Sequence, residues 1–256
     1  MTNQTVLVMG AAGSMGKLIM QLAQNDGWEC MGIDVHLQPD VGRALDDVLP
    51  RAHLVFDFSS PQGTHLLLES LQKFPLPCVI GTTDLDDTHH QKIARIAQHV
   101  PIVYSTNFSV GMNLLWALVE KASSLLPPAF FDVEIVEVHH HRKKDAPSGS
   151  ARTLAQCVQS GRKKVGFETG ETCFHDVASG ARTLNSIGFS AVRGGDVVGE
   201  HTVLFLGTGE RLELTHRATD RAIFARGAWT AGQRLQGRSP GMYTVRDLLS
   251  FESLLM

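Results

Sequence analysis

Short apolar runs and helix-spaced stretches alternate along the first part of the chain. Thr5-Val-Leu-Val-Met9, Trp28-Glu-Cys-Met-Gly-Ile-Asp34, Leu54-Val-Phe-Asp-Phe58, Pro77-Cys-Val-Ile-Gly81 and Ile102-Val-Tyr104 have the length and composition of strands. The stretch that begins at Lys17, and residues 41–49, 63–73 and 89–99, read as helices. Strands that alternate with helices predict a parallel sheet covered on both faces, with ligands collecting at the carboxyl ends of its strands. Those ends are the glycine turn at 10–16, Asp34, Phe58-Ser-Ser60, Gly81-Thr-Thr83 and Ser105-Thr-Asn-Phe108, mostly rich in glycine or hydroxyl groups.

The pattern changes near residue 110. Residues 111–126 predict a long helix, closed by Pro127-Pro128. Phe131-Asp-Val-Glu-Ile-Val-Glu-Val138 alternates apolar and acidic positions as a strand does, and residues 150–159 read as a helix. Residues 161–185 are polar and predict a long loop. Strands follow at 186–192, 200–206 and 211–216, the last two joined by Gly207-Thr-Gly209. Strands without helices between them predict a mainly antiparallel sheet and so a second, α+β domain beside the α/β one. A final long helix over 221–235 precedes a loop at 236–241 and a short C-terminal helix.

Composition narrows the class. A chain of 256 residues makes one large domain or two ordinary ones. A net charge of −3 supplies no electrostatic case for nucleic acid or membrane, and no apolar run reaches the length of a membrane span. The opening Met-Thr-Asn-Gln-Thr leads straight into the first strand without a secretory signal. Cys30, Cys78, Cys157 and Cys173 are scattered, with no CxxC pair, as thiols in a reducing cytoplasm would be.

Two motifs carry candidate chemistry. Gly10-Ala-Ala-Gly13-Ser-Met-Gly16 lies between a strand and a helix, the setting of a dinucleotide fingerprint. Gly10 allows the tight turn, Gly13 lets backbone approach a pyrophosphate, and Gly16 lets the helix pack closely. Asp34 ends the next strand, where an acid accepts hydrogen bonds from a ribose. The second motif is Glu137-Val-His-His-His-Arg-Lys-Lys-Asp-Ala-Pro-Ser-Gly-Ser150. Histidines and lysines beside a helix N-terminus suit an anionic small molecule, which backbone N–H groups hold and cations neutralise. His139 and His141 share a face of the strand and His140 does not, so the chain must bend here for His139 and His140 to reach one ligand.

With these motifs the chain resembles dihydrodipicolinate reductase, an NAD(P)H-dependent family of diaminopimelate and lysine synthesis. The resemblance covers nearly the whole chain. It includes the G-x-x-G-x-M-G turn, Asp57-Phe-Ser-x-Pro-x-Gly63, Gly81-Thr-Thr83, Asn107-Phe-Ser-Val-Gly111 and Glu137-x-His-His-x-x-Lys-x-Asp-Ala-Pro-Ser-Gly149. It continues through Ile187-Gly-Phe, Val192-Arg-Gly-Gly, Gly199-Glu-His-Thr-Val203 and Gly209-Glu-Arg-Leu-Glu-Leu-Thr-His216. It implies a Rossmann-type dinucleotide-binding domain from 1–109 with 221–256, and a substrate-binding and oligomerisation domain over 110–220 that forms a homotetramer through its sheet. It implies hydride transfer from NADH or NADPH to a small dicarboxylate, the cyclic product of dihydrodipicolinate synthase, giving tetrahydrodipicolinate.

The resemblance also implies roles. Lys143 matches the proton donor and His139 the other catalytic residue; His140, Ser148, Gly149 and Ser150 match substrate contacts. Gly10, Ala11, Ala12, Gly13, Ser14 and Met15 match the pyrophosphate loop, and Asp34 the ribose acid. Gly81, Thr82, Thr83, Ser105, Thr106, Asn107 and Phe108 match segments near the nicotinamide, and Arg221 a cofactor-binding cation near the domain junction. The family often has cations where this chain has Ser14 and Val35, so Asp34 without them predicts a preference for NADH; Lys17, His36 and Arg43 are the nearest compensating charges. Another two-domain nicotinamide dehydrogenase, or a non-catalytic NADH sensor, would share the glycines and Asp34 but has no need of the histidine–lysine block. A zinc site is not expected, because adjacent histidine side chains diverge and no cysteine or acid stands at ligand spacing.

Overall fold

A computed structural model of the chain describes residues 4–37, 40–174 and 180–249. They form two compact units, one from the chain up to Val110 together with the segment from Ala222, the other from Gly111–Arg221.

The first unit holds β1 (Thr5–Met9), β2 (Glu29–Ile33), β3 (Leu54–Asp57), β4 (Cys78–Ile80), β5 (Pro101–Tyr104) and β11 (Gly241–Tyr243). They pair in parallel in the order β11-β5-β4-β3-β1-β2. β1, β3 and β4 are buried along their whole length, which is why they read as continuous apolar runs. On one face α2 (Val41–Val48), α3 (Pro61–Lys73) and α4 (Asp87–Ile96) bring Leu45, Leu68 and Ile93 onto Leu7, Val55 and Ile80. On the other, α1 (Ser14–Asn25) and α7 (Ala222–Leu235) bring Ile19, Ala23 and Trp229 onto Val6, Phe56 and Val103. From β1 the chain runs outward to β2 and returns to β3 on the opposite side, so a switch point opens between β1 and β3. The loop predicted after α7 ends in β11, a three-residue edge strand beside β5 that is too short for a periodicity signal. It precedes α8 (Val245–Leu249).

The second unit holds β6 (Phe131–His139), β7 (Thr172–Phe174), β8 (Ile187–Arg193), β9 (Gly199–Gly207) and β10 (Glu210–Ala218) in the order β10-β9-β6-β8-β7. The two long ladders, β10 with β9 and β9 with β6, are antiparallel as expected. β8 and β7 are parallel, because α6 (Gly149–Lys164) carries the chain back between β6 and β7. α5 (Val110–Leu125) and α6 cover one face, with Met112, Trp116, Leu154 and Val158 on Val133, Ile135, Phe189 and Phe205. Part of the loop expected over 161–185 is ordered structure instead. α6 runs through Gly161 to Lys164, since a Cβ at 161 would lie 2.1 Å from the Glu120 carbonyl oxygen and only glycine lets α6 approach α5 so closely. Residues 175–179 of that loop, and 250–256 at the end of the expected cofactor domain, lie outside the described residues. Among the described residues no helix is long and apolar enough to cross a membrane.

Candidate active site

At the switch point of the first unit, Gly10 has φ +76 and a Cβ there would stand 2.3 Å from the Phe58 carbonyl oxygen. Gly16 sits against the same loop, where a Cβ would lie 2.2 Å from the Gly10 carbonyl oxygen. Both glycines are therefore required by close backbone approach. Gly13 caps α1 in extended conformation with no side chain on the first-turn amides, which is how helices receive phosphate. Asp34 accepts from Ala12 N–H and His36 N–H, each at 3.0 Å, and so ties the glycine turn to the end of β2. A cavity of about 330 Å³ opens there, bordered by Gly10, Gly13, Asp34, His36, Phe58 and Ser59. Ser14 is exposed and Met15 half-buried against the core. Ala11 and Lys17 border a second cavity of about 400 Å³ along α1.

The other predicted cofactor segments lie at the same edge of the sheet. Gly81 packs on the Phe58 ring, Thr82 is buried and accepts from Ser59 N–H at 3.1 Å, and Thr83 is exposed. Ser105 closes a turn with Asn107, its hydroxyl donating to the Asn107 carbonyl at 2.8 Å, while Thr106 is exposed. The Phe108 side chain is buried against Phe58 at 5.6 Å, so a ligand meets only its backbone. Sequence reasoning missed Asp57. It is wholly buried at the end of β3, where burial raises its carboxyl and hydrogen bonds from Ser59 and Thr64 oppose that rise.

In the second unit β6 ends at His139 and the chain bends, with His140 N–H donating to the Val197 carbonyl at 2.8 Å and Lys143 N–H to the His140 carbonyl at 3.1 Å. His139 belongs to the helix-covered face with Glu137; His140, past the end of the strand, is half-buried. Lys143 pairs with Asp145 at 2.9 Å, so its surroundings are not purely cationic. Ser148 caps α6, accepting from Ala151 N–H at 3.2 Å, and Gly149 and Ser150 form the first turn. Arg221 falls in this unit, near enough to act on His140.

Three residues not singled out from sequence complete this cluster. Glu137, 1% exposed, accepts from Ser148 N–H at 3.1 Å and from Arg193 at 2.6 Å. His201 lies opposite Glu137 across the β6–β9 ladder, with Nε2 3.1 Å from the Ser148 hydroxyl. Burial raises Glu137, but hydrogen bonds from Ser148 and Arg193 and the nearby His139 outweigh it and hold the carboxyl below its ordinary value. Burial likewise lowers His139 against the pull of Glu137, and His201 is pushed down to about 4, by burial first and His139 next. His140 is lowered by burial and by Arg142 and Arg221. Glu137, His139 and His201 each bring a ligand atom within 4.8 Å of the others, a closer metal-like group than the adjacent histidines. Glu137 is nonetheless committed to Arg193 and Ser148.

The chain matches a known family in sequence and in fold. The dihydrodipicolinate reductase family models match residues 4–108 with the N-terminal half and 111–249 with the C-terminal half. A 4-hydroxy-tetrahydrodipicolinate reductase of Akkermansia muciniphila is 41% identical, over 98% of this chain and 99% of its own. One of Thiobacillus denitrificans is 45% identical, over 96% and 98%. A dipicolinate-bound dihydrodipicolinate reductase from Paenisporosarcina sp. TG-14 shares the fold, with a TM-score of 0.73 at 22% identity over 96% of this chain and 99% of its own. Matched in both halves and along nearly its full length, the chain belongs to the dihydrodipicolinate reductase family.

Proposed function

We propose that the chain reduces the cyclic product of dihydrodipicolinate synthase, a 4-hydroxy-tetrahydrodipicolinate, to tetrahydrodipicolinate with NAD(P)H. The observation that carries this is the turn at 139–150, where His139, His140 and Lys143 lie beside the capped start of α6 in a family of reductases. The first unit serves as the dinucleotide-binding domain. Its backbone fits such a cofactor: Gly10 and Gly16 leave a cradle that a Cβ would fill, and the first turn of α1 has no side-chain cap. Gly10, Ala11, Ala12, Gly13, Ser14 and Met15 hold the pyrophosphate and Asp34 the ribose. Gly81, Thr82, Thr83, Ser105, Thr106, Asn107 and Phe108 receive the nicotinamide end. The bound nicotinamide supplies the hydride.

The second unit supplies charge and protons. The first turn of α6, at Ser148, Gly149 and Ser150, receives one substrate carboxylate, and His140 adds a donor, while Arg221 adds charge for the cofactor. Lys143 gives the proton that balances the hydride, the substrate hydroxyl leaves as water, and His139, kept neutral by burial, assists as acceptor or donor. Val35, exposed and uncharged beside Asp34, supports a preference for NADH, since Asp34 repels a 2′-phosphate. The homotetramer that the family resemblance implies is assigned to the sheet of this unit. Relatives that are biosynthetic reductases support a cytoplasmic setting.

The test is oxidation of NADH coupled to dihydrodipicolinate synthase with pyruvate and aspartate semialdehyde, repeated with NADPH. Lys143→Ala and His139→Gln should each lower kcat by roughly 10²–10⁴ while NADH still binds. Either variant turning over at the parent rate would overturn the role given to it, and a faster reaction with NADPH would overturn the cofactor preference. Light scattering of the eluted protein reads the tetramer.

A further inference from the structure

His201 comes from β9, more than fifty residues from the turn at 147–150, yet it is joined to that turn by a closed set of hydrogen bonds. A serine hydroxyl accepts two hydrogen bonds and donates one. Ser148 Oγ accepts from Ala151 N–H at 3.2 Å and meets His201 Nε2 at 3.1 Å. With His201 protonated on Nε2, the imidazole donates to the serine oxygen and Nδ1 stays a buried acceptor, which leaves the serine proton for Glu137. Glu137 in turn accepts Ser148 N–H, and Arg193 joins its second oxygen to the Asp145 carbonyl at 2.9 Å. Four residues on three strands and one helix start thus fix the backbone of the loop that carries Lys143, Ser148 and Gly149.

Ser148 is 3% exposed with its hydroxyl fully used, so a ligand at this turn meets backbone rather than that side chain. His201 is 4% exposed, its side chain closed in among Ser148, Glu137 and His139. We propose that His201 is a positioning residue: through Ser148 and Glu137 it holds the first turn of α6 in the orientation that receives a substrate carboxylate. This rests on the substrate site assigned above.

The experiment compares full-length wild type with His201→Leu, His201→Gln, Glu137→Gln and Lys143→Ala. Steady-state kinetics with the cyclic substrate is paired with direct titration of NADH and of pyridine-2,6-dicarboxylate. Losing the donor should raise KM and the dicarboxylate Kd of His201→Leu by about tenfold, the equivalent of ~1.4 kcal/mol, with NADH affinity unchanged. His201→Gln, which keeps an N–H donor at that reach, should recover most of the loss. A general loss of packing would instead move NADH affinity and kcat too, and glutamine would not rescue it; either result overturns the proposal. If His201→Leu does not fold, Glu137→Gln should show the same selective rise, and an unchanged KM there also overturns it. If Lys143→Ala is impaired and His201→Leu is not, only the positioning role falls. If neither affects dicarboxylate binding or turnover, the substrate site itself is elsewhere.

Discussion

Acidification should weaken this protein through His201 before Glu137 titrates. The imidazole is held at about 4 in the folded chain against an ordinary 6.5, with burial as the main cause. The charges around it are Glu137, His139 and Lys143 from the β6 strand and turn, and His216 on β10. The unfolded chain takes up a proton as pH falls through 6.5, whereas the folded chain does not until about 4. The stability tied to neutral His201 is therefore fully present above 6.5, drains between 6.5 and 4, and is gone below. The whole gap amounts to on the order of 3 kcal/mol, and most of it, roughly 2–3 kcal/mol, is lost by about pH 4.5. Glu137 is held low and acts the same way, but only as pH falls below its ordinary 4.5, so a window from pH 7 to about 4.5 separates His201 from Glu137, and Asp57, raised by burial, is common to both proteins compared below. Urea unfolding of wild type and His201→Gln at both ends of that window gives the result. His139, also lowered by burial, remains in both proteins and cancels in the difference. Wild type should lose about 2 kcal/mol more than the variant; parallel losses would refute the argument that His201 is held neutral by the fold.

Other outcomes follow from single contacts. Gly16→Ala puts a methyl group 2.2 Å from the Gly10 carbonyl oxygen and must push α1 off the glycine turn. At about 1–3 kcal/mol for overpacking, NADH should bind on the order of tenfold more weakly by fluorescence titration. Val35→Arg adds a cation at a 69% exposed position beside Asp34, and should raise kcat/KM for NADPH relative to NADH by roughly tenfold, as one charge-assisted contact would. Thr64→Val removes a donor from wholly buried Asp57, and about 1–3 kcal/mol of lost hydrogen bonding should show as a melting point lower by several degrees.

The sequence by itself determined the layers. β1, β3 and β4 are buried on both faces and must be apolar throughout, so the parallel sheet, its helices and the glycine turn are legible from periodicity alone. Alternation along β6 likewise places Glu137 and His139 on one face, two residues apart. Short-range rules reach no further than that. β11 is three residues long, and α6 contains a glycine that reads as an end because the helix it packs on is invisible in one dimension. Tertiary structure alone decided which distant residues meet the predicted site. The β6–β9 register sets His201 opposite Glu137, and the β6–β8 register sets Arg193 beside His139. A shift of one residue in either ladder would send those side chains to the other face, and register is fixed by the packing of whole sheet faces against α5 and α6, which no local motif encodes. The groups proposed to contact ligand were thus nameable from their own neighbours in the chain, while the buried partners around them were selected by the fold.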